Sequence, residues 1–249
     1  MQSARGRHVV RGLLAVACSL PVAAFAQLTQ QHLGPATKDG EPRFQGGLNF
    51  TVAQPAGQFG QYVNDGIGVG AHGLVRLGDT GWFGLRLEGD FVQYGRETKR
   101  VPLSNTVGGR IQVDLTTSNN IFSLGVGPQL MVPRGPIRPY VNGLVGFSYF
   151  STESSVSGID ANESLLRNQN LGDGTFSYGG GSGVLVPVFR NARSLVFLDV
   201  GAQFHNNGRA RYLREGGIED LPDGSIRLHA IDSNANLWTY HIGVSIGGR

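Results

Sequence analysis

The chain has 249 residues, 40% hydrophobic and 16% charged, with 39 glycines, one cysteine and a formal net charge of +3. That length fits one large β-domain, and a lone cysteine excludes both a disulfide framework and paired-cysteine metal sites. The positive excess sits in the N-terminal segment, where Arg5, Arg7 and Arg11 stand without any acid; the remainder is formally neutral, so nucleic acid is not an expected partner.

Residues 1–26 have the form of an export signal. The three arginines precede "LLAVACSLPVAA", an apolar run too short to span a bilayer, and Ala24-Phe25-Ala26 fits the small-x-small cleavage rule. Cleavage as a lipoprotein at Cys18 would leave too short an apolar run, so the cut is placed after Ala26 and the cysteine leaves with the leader. Residues 27–42 are expected as a flexible lead-in and 43–249 as the folded domain. After residue 26 no stretch approaches the length of a membrane helix.

From there the sequence alternates. Apolar residues recur at every second position in "FQGGLNFTV" (44–52), "GIGVGAHGLVRL" (66–77), "FGLRLEGDF" (83–91) and "FSLGVGPQLMV" (122–132). They do so again in "YVNGLVGFSYF" (140–150), "FSYGGGSGVLVPV" (176–188), "SLVFLDVGAQF" (194–204) and "WTYHIGVSI" (238–246). A period of two over about ten residues predicts eight β-strands, each the length of a tilted membrane-spanning strand. The links alternate as well. "GDTG", "PRGPIRP" and "RNARS" are tight and turn-rich, whereas the links after the first, third, fifth and seventh segments are long, the one from Gln93 to Ile121 being expected as strand extensions around a "SNTVGG" turn. Short turns on one side and long loops on the other mark an up-and-down barrel.

A soluble lipocalin-like barrel shares this alternation, with its apolar face turned inward. Three features favour the opposite placement. The polar face is built largely of glycine, including Gly68, Gly70, Gly125, Gly127, Gly181 and Gly183, and carries no lysine, which suits a crowded interior better than a washed surface. Aromatics on the apolar face gather toward the long-loop ends, with Phe44 and Phe83 at the opposite edge, as in an aromatic girdle. The export signal is the third.

On these segments and loops the chain resembles the small eight-stranded outer-membrane β-barrel proteins, the class that includes the OmpA membrane domain and the OmpX and OmpW types. The resemblance covers about residues 43–247 and is architectural. It implies an all-β, eight-stranded antiparallel up-and-down transmembrane barrel in a Gram-negative-type outer membrane, with residues 27–42 on the periplasmic side. It implies lipid and lipopolysaccharide as surroundings, the barrel-assembly machinery as a partner in biogenesis, and a monomer. One departure is that such proteins usually end in an aromatic residue, whereas this chain ends in Arg249.

With the apolar face outward, the polar residues of the strands point into the lumen. His72, Arg86, Glu88, Asp90, Gln129, Asn142, Asp199, Gln203 and His241 are expected to form a polar plug, because isolated buried charges are costly and must pair. Arg86 is expected to depend on Asp199. A narrow channel for small hydrophobic solutes is the alternative, with Leu144, Phe150 and Leu185 as an apolar upper lumen. Metal ligation by His72, His241 and a carboxylate lacks a characteristic spacing, and no cofactor motif is evident. "QFHNNGRARYLREGG" (203–217) resembles the His-x-Ser pattern of lipid A deacylase barrels, but His205 is followed at the second place by Asn207, which cannot act as an acyl-transfer nucleophile. No enzyme is expected. His205, Arg209, Arg211 and Arg214 are the candidates for contacts made by the outer loops, and the function expected is envelope-structural or surface recognition.

Overall fold

A computed structural model of the protein describes residues 41–102, 112–158, 164–220 and 226–248. The chain divides into two units, Met1–Leu33 and Gly34–Arg249, and all described residues belong to the second. The expected leader, residues 27–40 of the lead-in and Arg249 lie outside the described residues.

In chain order the strands are β1 (Phe44–Pro55), β2 (Gly66–Leu77), β3 (Phe83–Pro102), β4 (Gln112–Met131), β5 (Arg138–Gly158), β6 (Ser164–Arg190), β7 (Ser194–Asn207), β8 (Arg209–Tyr212), β9 (Ile218–Asp220), β10 (Ile226–Leu228), β11 (Ile231–Asn234) and β12 (Leu237–Gly248). Strands β1 to β7 and β12 form a closed antiparallel barrel in which each strand pairs with the next. β12 seals the ring against β1, from Gln45 opposite Gly247 to Pro55 opposite Leu237. The turn between β2 and β3 needs left-handed backbone twice, and glycine supplies it at Gly78 and Gly81.

The alternation resolves into two faces of opposite polarity. Along β3, Arg86, Glu88 and Asp90 are 2%, 4% and 7% exposed, while Leu85, Leu87 and Phe91 between them are 47%, 52% and 46% exposed. The apolar residues thus form the outside, and the charges lie in a lumen that eight strands make just wide enough for side chains to fill.

Four strands are about twice the expected length: β3 and β4 have 20 residues, β5 has 21 and β6 has 27. Between Gln93 and Ile121 this is the expected strand extension, up to Pro102 and again from Gln112, with the "SNTVGG" turn outside the described residues; the link from Ser151, expected as a long loop, is largely sheet as well. The reason lies in cross-strand hydroxyl and amide pairs that carry no apolar alternation: Thr98 with Thr116 at 3.0 Å, Thr117 with Ser154 at 3.0 Å, and Thr152 donating to Asn119 at 2.6 Å. The link between β7 and β12 also folds. β8 pairs with β11 and β9 with β10, giving a nested hairpin that bends at Gly208 and Ala235, where the backbone N–H of Ala235 donates to the carbonyl of Gly208. Pro187 sits at a register shift between β6 and β7, a position where its missing N–H costs little.

Candidate functional site

The lumen is built in three layers. At its floor, on the short-turn side, Glu41 accepts hydrogen bonds from both terminal nitrogens of Arg138, at 2.7 and 3.2 Å, and stands 3.6 Å from Arg76. Arg76 also donates to Gln45, which donates to Ser245 at 2.7 Å. These ions are wrapped in apolar side chains. Leu74, Met131, Tyr140, Leu185, Leu195 and Phe197 form one buried cluster, and the Arg138 guanidinium lies 5.0 Å from the centre of the Phe197 ring. The floor is thus a desolvated ion pair inside a hydrocarbon collar.

The middle layer holds the residues expected in the plug. Arg86 pairs with Glu88 at 2.5 Å and donates to Gln129 at 3.2 Å, with its guanidinium 5.6 Å from the centre of the Tyr140 ring. The Tyr140 hydroxyl donates to Asp199 at 2.9 Å. That uses its single proton, so the 3.1 Å contact between this hydroxyl and His241 Nε2 requires the histidine to be the donor. His72 reaches the other oxygen of Asp199 at 3.7 Å. Asn142 donates to Gln203 at 2.9 Å, and Thr51 links Asn49 and Asp90. Glycine makes room for these groups: a Cβ on Gly47 would strike the His72 ring, and one on Gly183 would strike the Tyr140 hydroxyl.

The ceiling is apolar. Phe59, on a single turn of 3-10 helix in the link between β1 and β2, meets Tyr94, Phe150 and Tyr212 edge-on at centroid distances of 5.7, 5.8 and 4.8 Å. Ala53, Val63, Val92, Ile121, Ala210, Ala235 and Leu237 complete the cluster, so the bent hairpin of β8 and β11 lies across the barrel mouth. The spaces left in and above the barrel include two lined by described residues. One of about 20 Å³, room for a single water-sized body, lies by Glu88, Asp90, Leu144, Ser177 and His205. The other, about 140 Å³, lies between the upper sheet and the turn after β8, beside Lys99, Thr117, Ser154, Asn170, Leu213 and Arg214.

All nine residues of the expected plug are buried in the lumen, but they divide into pairs and small sets. Arg86 makes no hydrogen bond to Asp199: it donates to Glu88 and Gln129, while Asp199 takes the Tyr140 hydroxyl, and the Tyr140 ring beside the Arg86 guanidinium links the two. Leu185 belongs to the floor instead of the upper lumen. His205 is not an outer-loop residue. β7 runs past it to Asn207, and its inward parity buries it against the Thr239 hydroxyl at 3.0 Å. Arg209, Arg211 and Arg214 are exposed on the long-loop side, with Arg209 paired to Asp232 at 3.1 Å. Glu41, expected in the lead-in, is 5% exposed and part of the barrel floor. Sequence reasoning misses Arg76, Arg138 and Tyr140, although they share inward parity with His72 and Asn142. Among the described residues, no three of His, Cys, Asp and Glu stand together as a metal-binding group.

No protein-family model matches the chain, and no curated protein matches it in sequence. Solved structures do. Neisserial surface protein A is 13% identical with a TM-score of 0.50, over 84% of this chain and 99% of that one. Ail, the attachment invasion locus protein of Yersinia pestis, is 11% identical at a TM-score of 0.44, over 83% and 98%. A major outer membrane protein from Thermus thermophilus is 13% identical at 0.40, over 80% and 98%. At these identities the likeness to the Neisserial protein shows a shared fold, the small eight-stranded antiparallel barrel.

Proposed function

We propose that the protein is an outer-membrane barrel whose lumen is closed by its own side chains and whose long loops meet the surroundings. The inversion of polarity carries this reading. Val69, Leu87, Val145, Phe176 and Ile242, each on a different strand, are all exposed, around an interior that holds Arg86, Glu88 and Asp199. In water each such Val, Leu or Phe, about half exposed, forgoes a corresponding part of the worth of full burial, about 1.5–3 kcal/mol. Lipid removes that cost, and a polar interior is what a membrane barrel keeps inside. A lipocalin-like barrel would have the two faces exchanged.

Closure is supported by the apolar ceiling over Phe59, the packed middle layer and the Glu41–Arg138 floor, which leave a space of about 20 Å³ beside Glu88. That is too little for an organic solute. A tilted strand crosses the hydrocarbon core in about 9–11 residues, so β3 to β6 extend well beyond it on the long-loop side. The cleft of about 140 Å³ there supports a role in surface recognition, with Arg211 and Arg214 available to lipopolysaccharide phosphates. Catalysis has no place in this reading, since His205 and Asn207 are engaged inside the barrel with Thr239 and Ser148.

Two measurements on the expressed full chain test the proposal. The protein should fractionate with the outer membrane and run faster on gels unheated than boiled, and it should give no unitary conductance steps in planar bilayers. Recovery as a soluble periplasmic protein would sink the barrel in the membrane. A steady single-channel current would sink the closed lumen.

A further inference from the structure

The two ends of the barrel differ in charge. Among the described residues, the short-turn end exposes Arg43, Arg134, Arg190 and Arg193 against one exposed carboxylate, Asp79. Arg190 pairs with the buried Glu41 at 3.7 Å, as Arg76 does at 3.6 Å, so the excess rests most on Arg43 and Arg193. The side chains of Arg43 and Arg193 have no partner among the described residues. The long-loop end carries both signs: Arg100 pairs with Asp114, Arg209 with Asp232, Arg227 with Glu219 and Lys99 with Glu97, and half-buried Asp173 and exposed Glu215 accompany Arg211 and Arg214.

The exposed arginines also sit at a particular depth. Phe189 precedes Arg190, Ile137 lies three residues after Arg134, and Trp82 and Phe83 end the β2–β3 turn; their exposures run from 43% to 61%. A ring of aromatic and apolar side chains followed at once by cations is the profile of a membrane–water interface. Guanidinium groups hold phosphate oxygens through paired N–H donors, and they favour a lipid whose phosphate is not offset by its own ammonium group.

Taking the protein as a membrane-spanning barrel, as proposed above, we infer that its short-turn rim binds anionic phospholipid, with Arg43, Arg134, Arg190 and Arg193 holding headgroup phosphates in the leaflet on that side. The partner is a lipid surface with net negative charge, and the rim fixes how deep the barrel sits in it.

The test uses the full-length mature chain inserted into vesicles of equimolar phosphatidylcholine and phosphatidylglycerol. The protein is then extracted in mild detergent, and retained lipid is counted by native mass spectrometry. Phosphatidylglycerol should be enriched about tenfold, and the enrichment should fall as salt screens the contact. The variant R43Q/R134Q/R190Q/R193Q should bring the ratio close to one, and R100Q/R227Q, which removes paired cations at the long-loop end, should leave it unchanged. Should the fourfold variant fail to insert, R43Q/R193Q and R134Q/R190Q are each expected to lower the enrichment. Equal retention of the two lipids by the wild-type protein, or loss of preference only in the loop variant, overturns the inference. Insertion into vesicles of phosphatidylcholine alone, read by heat-modifiable mobility, reports on the barrel itself. Failure there overturns the membrane reading, whereas insertion without lipid preference overturns the rim alone.

Discussion

Glu41 clamps Arg138 with both carboxylate oxygens, at 2.7 and 3.2 Å, across 97 residues of sequence. The pair joins the segment ahead of β1 to β5, four strands around the ring on the opposite wall. It closes the floor and braces the barrel across its diameter. Removing one partner of a buried ion pair leaves the other charge unpaired, at a cost of about 3–5 kcal/mol. Glu41→Ala should therefore lower stability by about that amount, read as the urea midpoint of the heat-modifiable band. Replacing Glu41, Arg76 and Arg138 together by Met should recover much of the loss, because neither buried arginine is then left without its carboxylate. A shift within about 0.5 kcal/mol for Glu41→Ala, the range of ordinary surface substitutions, would show the clamp to be incidental.

Arg86 and Asp199 lie in the same layer but answer to different partners. Arg86 is held by Glu88 and Gln129, whereas Asp199 is held by Tyr140 with His72 and His241 beside it. A double-mutant cycle separates the two sets. Arg86→Met and Glu88→Met should be strongly coupled, each single change being more harmful than the pair together. Arg86→Met and Asp199→Leu should show a weaker coupling, because the two meet through Tyr140 and not through a hydrogen bond of their own. A coupling as large as in the first cycle would mean that the layer acts as one network.

Strand parity was legible because charged residues flanked by leucine, as in Leu85-Arg86-Leu87-Glu88, can satisfy only one face at a time. Which lumen residues meet was not legible. Contacts such as Tyr140 with Asp199 cross the lumen between strands that are not neighbours, and the stagger of the whole barrel sets which heights coincide. Short turns alone do not fix that stagger. Arg76 and Arg138 have the right parity but lie at strand ends beside turn residues, where a cation has the look of a solvated loop. Glu41 precedes the first strand and belongs to no periodic pattern. The upper sheet is legible between β3 and β4 but escapes notice between β5 and β6, where pairs such as Asn170 with Ser154 are polar, so pairing continues where hydrophobic alternation has stopped.

Interior and exterior glycines should respond in opposite ways to the same change. A Cβ on Gly146 would run into the backbone carbonyl oxygen of Leu124 on the facing strand, which a rotamer change cannot relieve. Gly146→Ala should destabilise the barrel by about 1–3 kcal/mol, the usual range for overpacking. Gly73, which alternates with His72 on β2, has no atom within 4 Å of the added carbon. There Ala narrows the unfolded chain without a clash, so Gly73→Ala should be neutral or stabilise by up to about 1 kcal/mol. Thermal midpoints of the unheated gel band compare the two directly, and equal losses would contradict the placement of the wall.

Tyr212 ties the bent hairpin to the barrel mouth. Its ring meets Phe59 at 4.8 Å, and its hydroxyl shares a 2.7 Å hydrogen bond with Ser233. Burial pushes this hydroxyl above the ordinary tyrosine value, and the bond to Ser233 offsets part of that rise. A raised folded-state value means that folding favours the neutral form. The contribution of Tyr212 is whole below the ordinary value near 10 and is lost as pH rises through the folded value. The ceiling should therefore loosen only under strongly alkaline conditions, with the barrel still closed beneath it. Protease nicking of the turn at residues 213–217 should accelerate there while the heat-modifiable band persists. Tyr212→Phe should cost about 1 kcal/mol at neutral pH, the worth of one hydrogen bond, and should remove most of the alkaline acceleration. If the variant accelerates as steeply as the wild-type protein, the titrating group lies elsewhere in the ceiling, with Tyr94, whose hydroxyl donates to the carbonyl of Leu213 at 3.2 Å, as the next to replace.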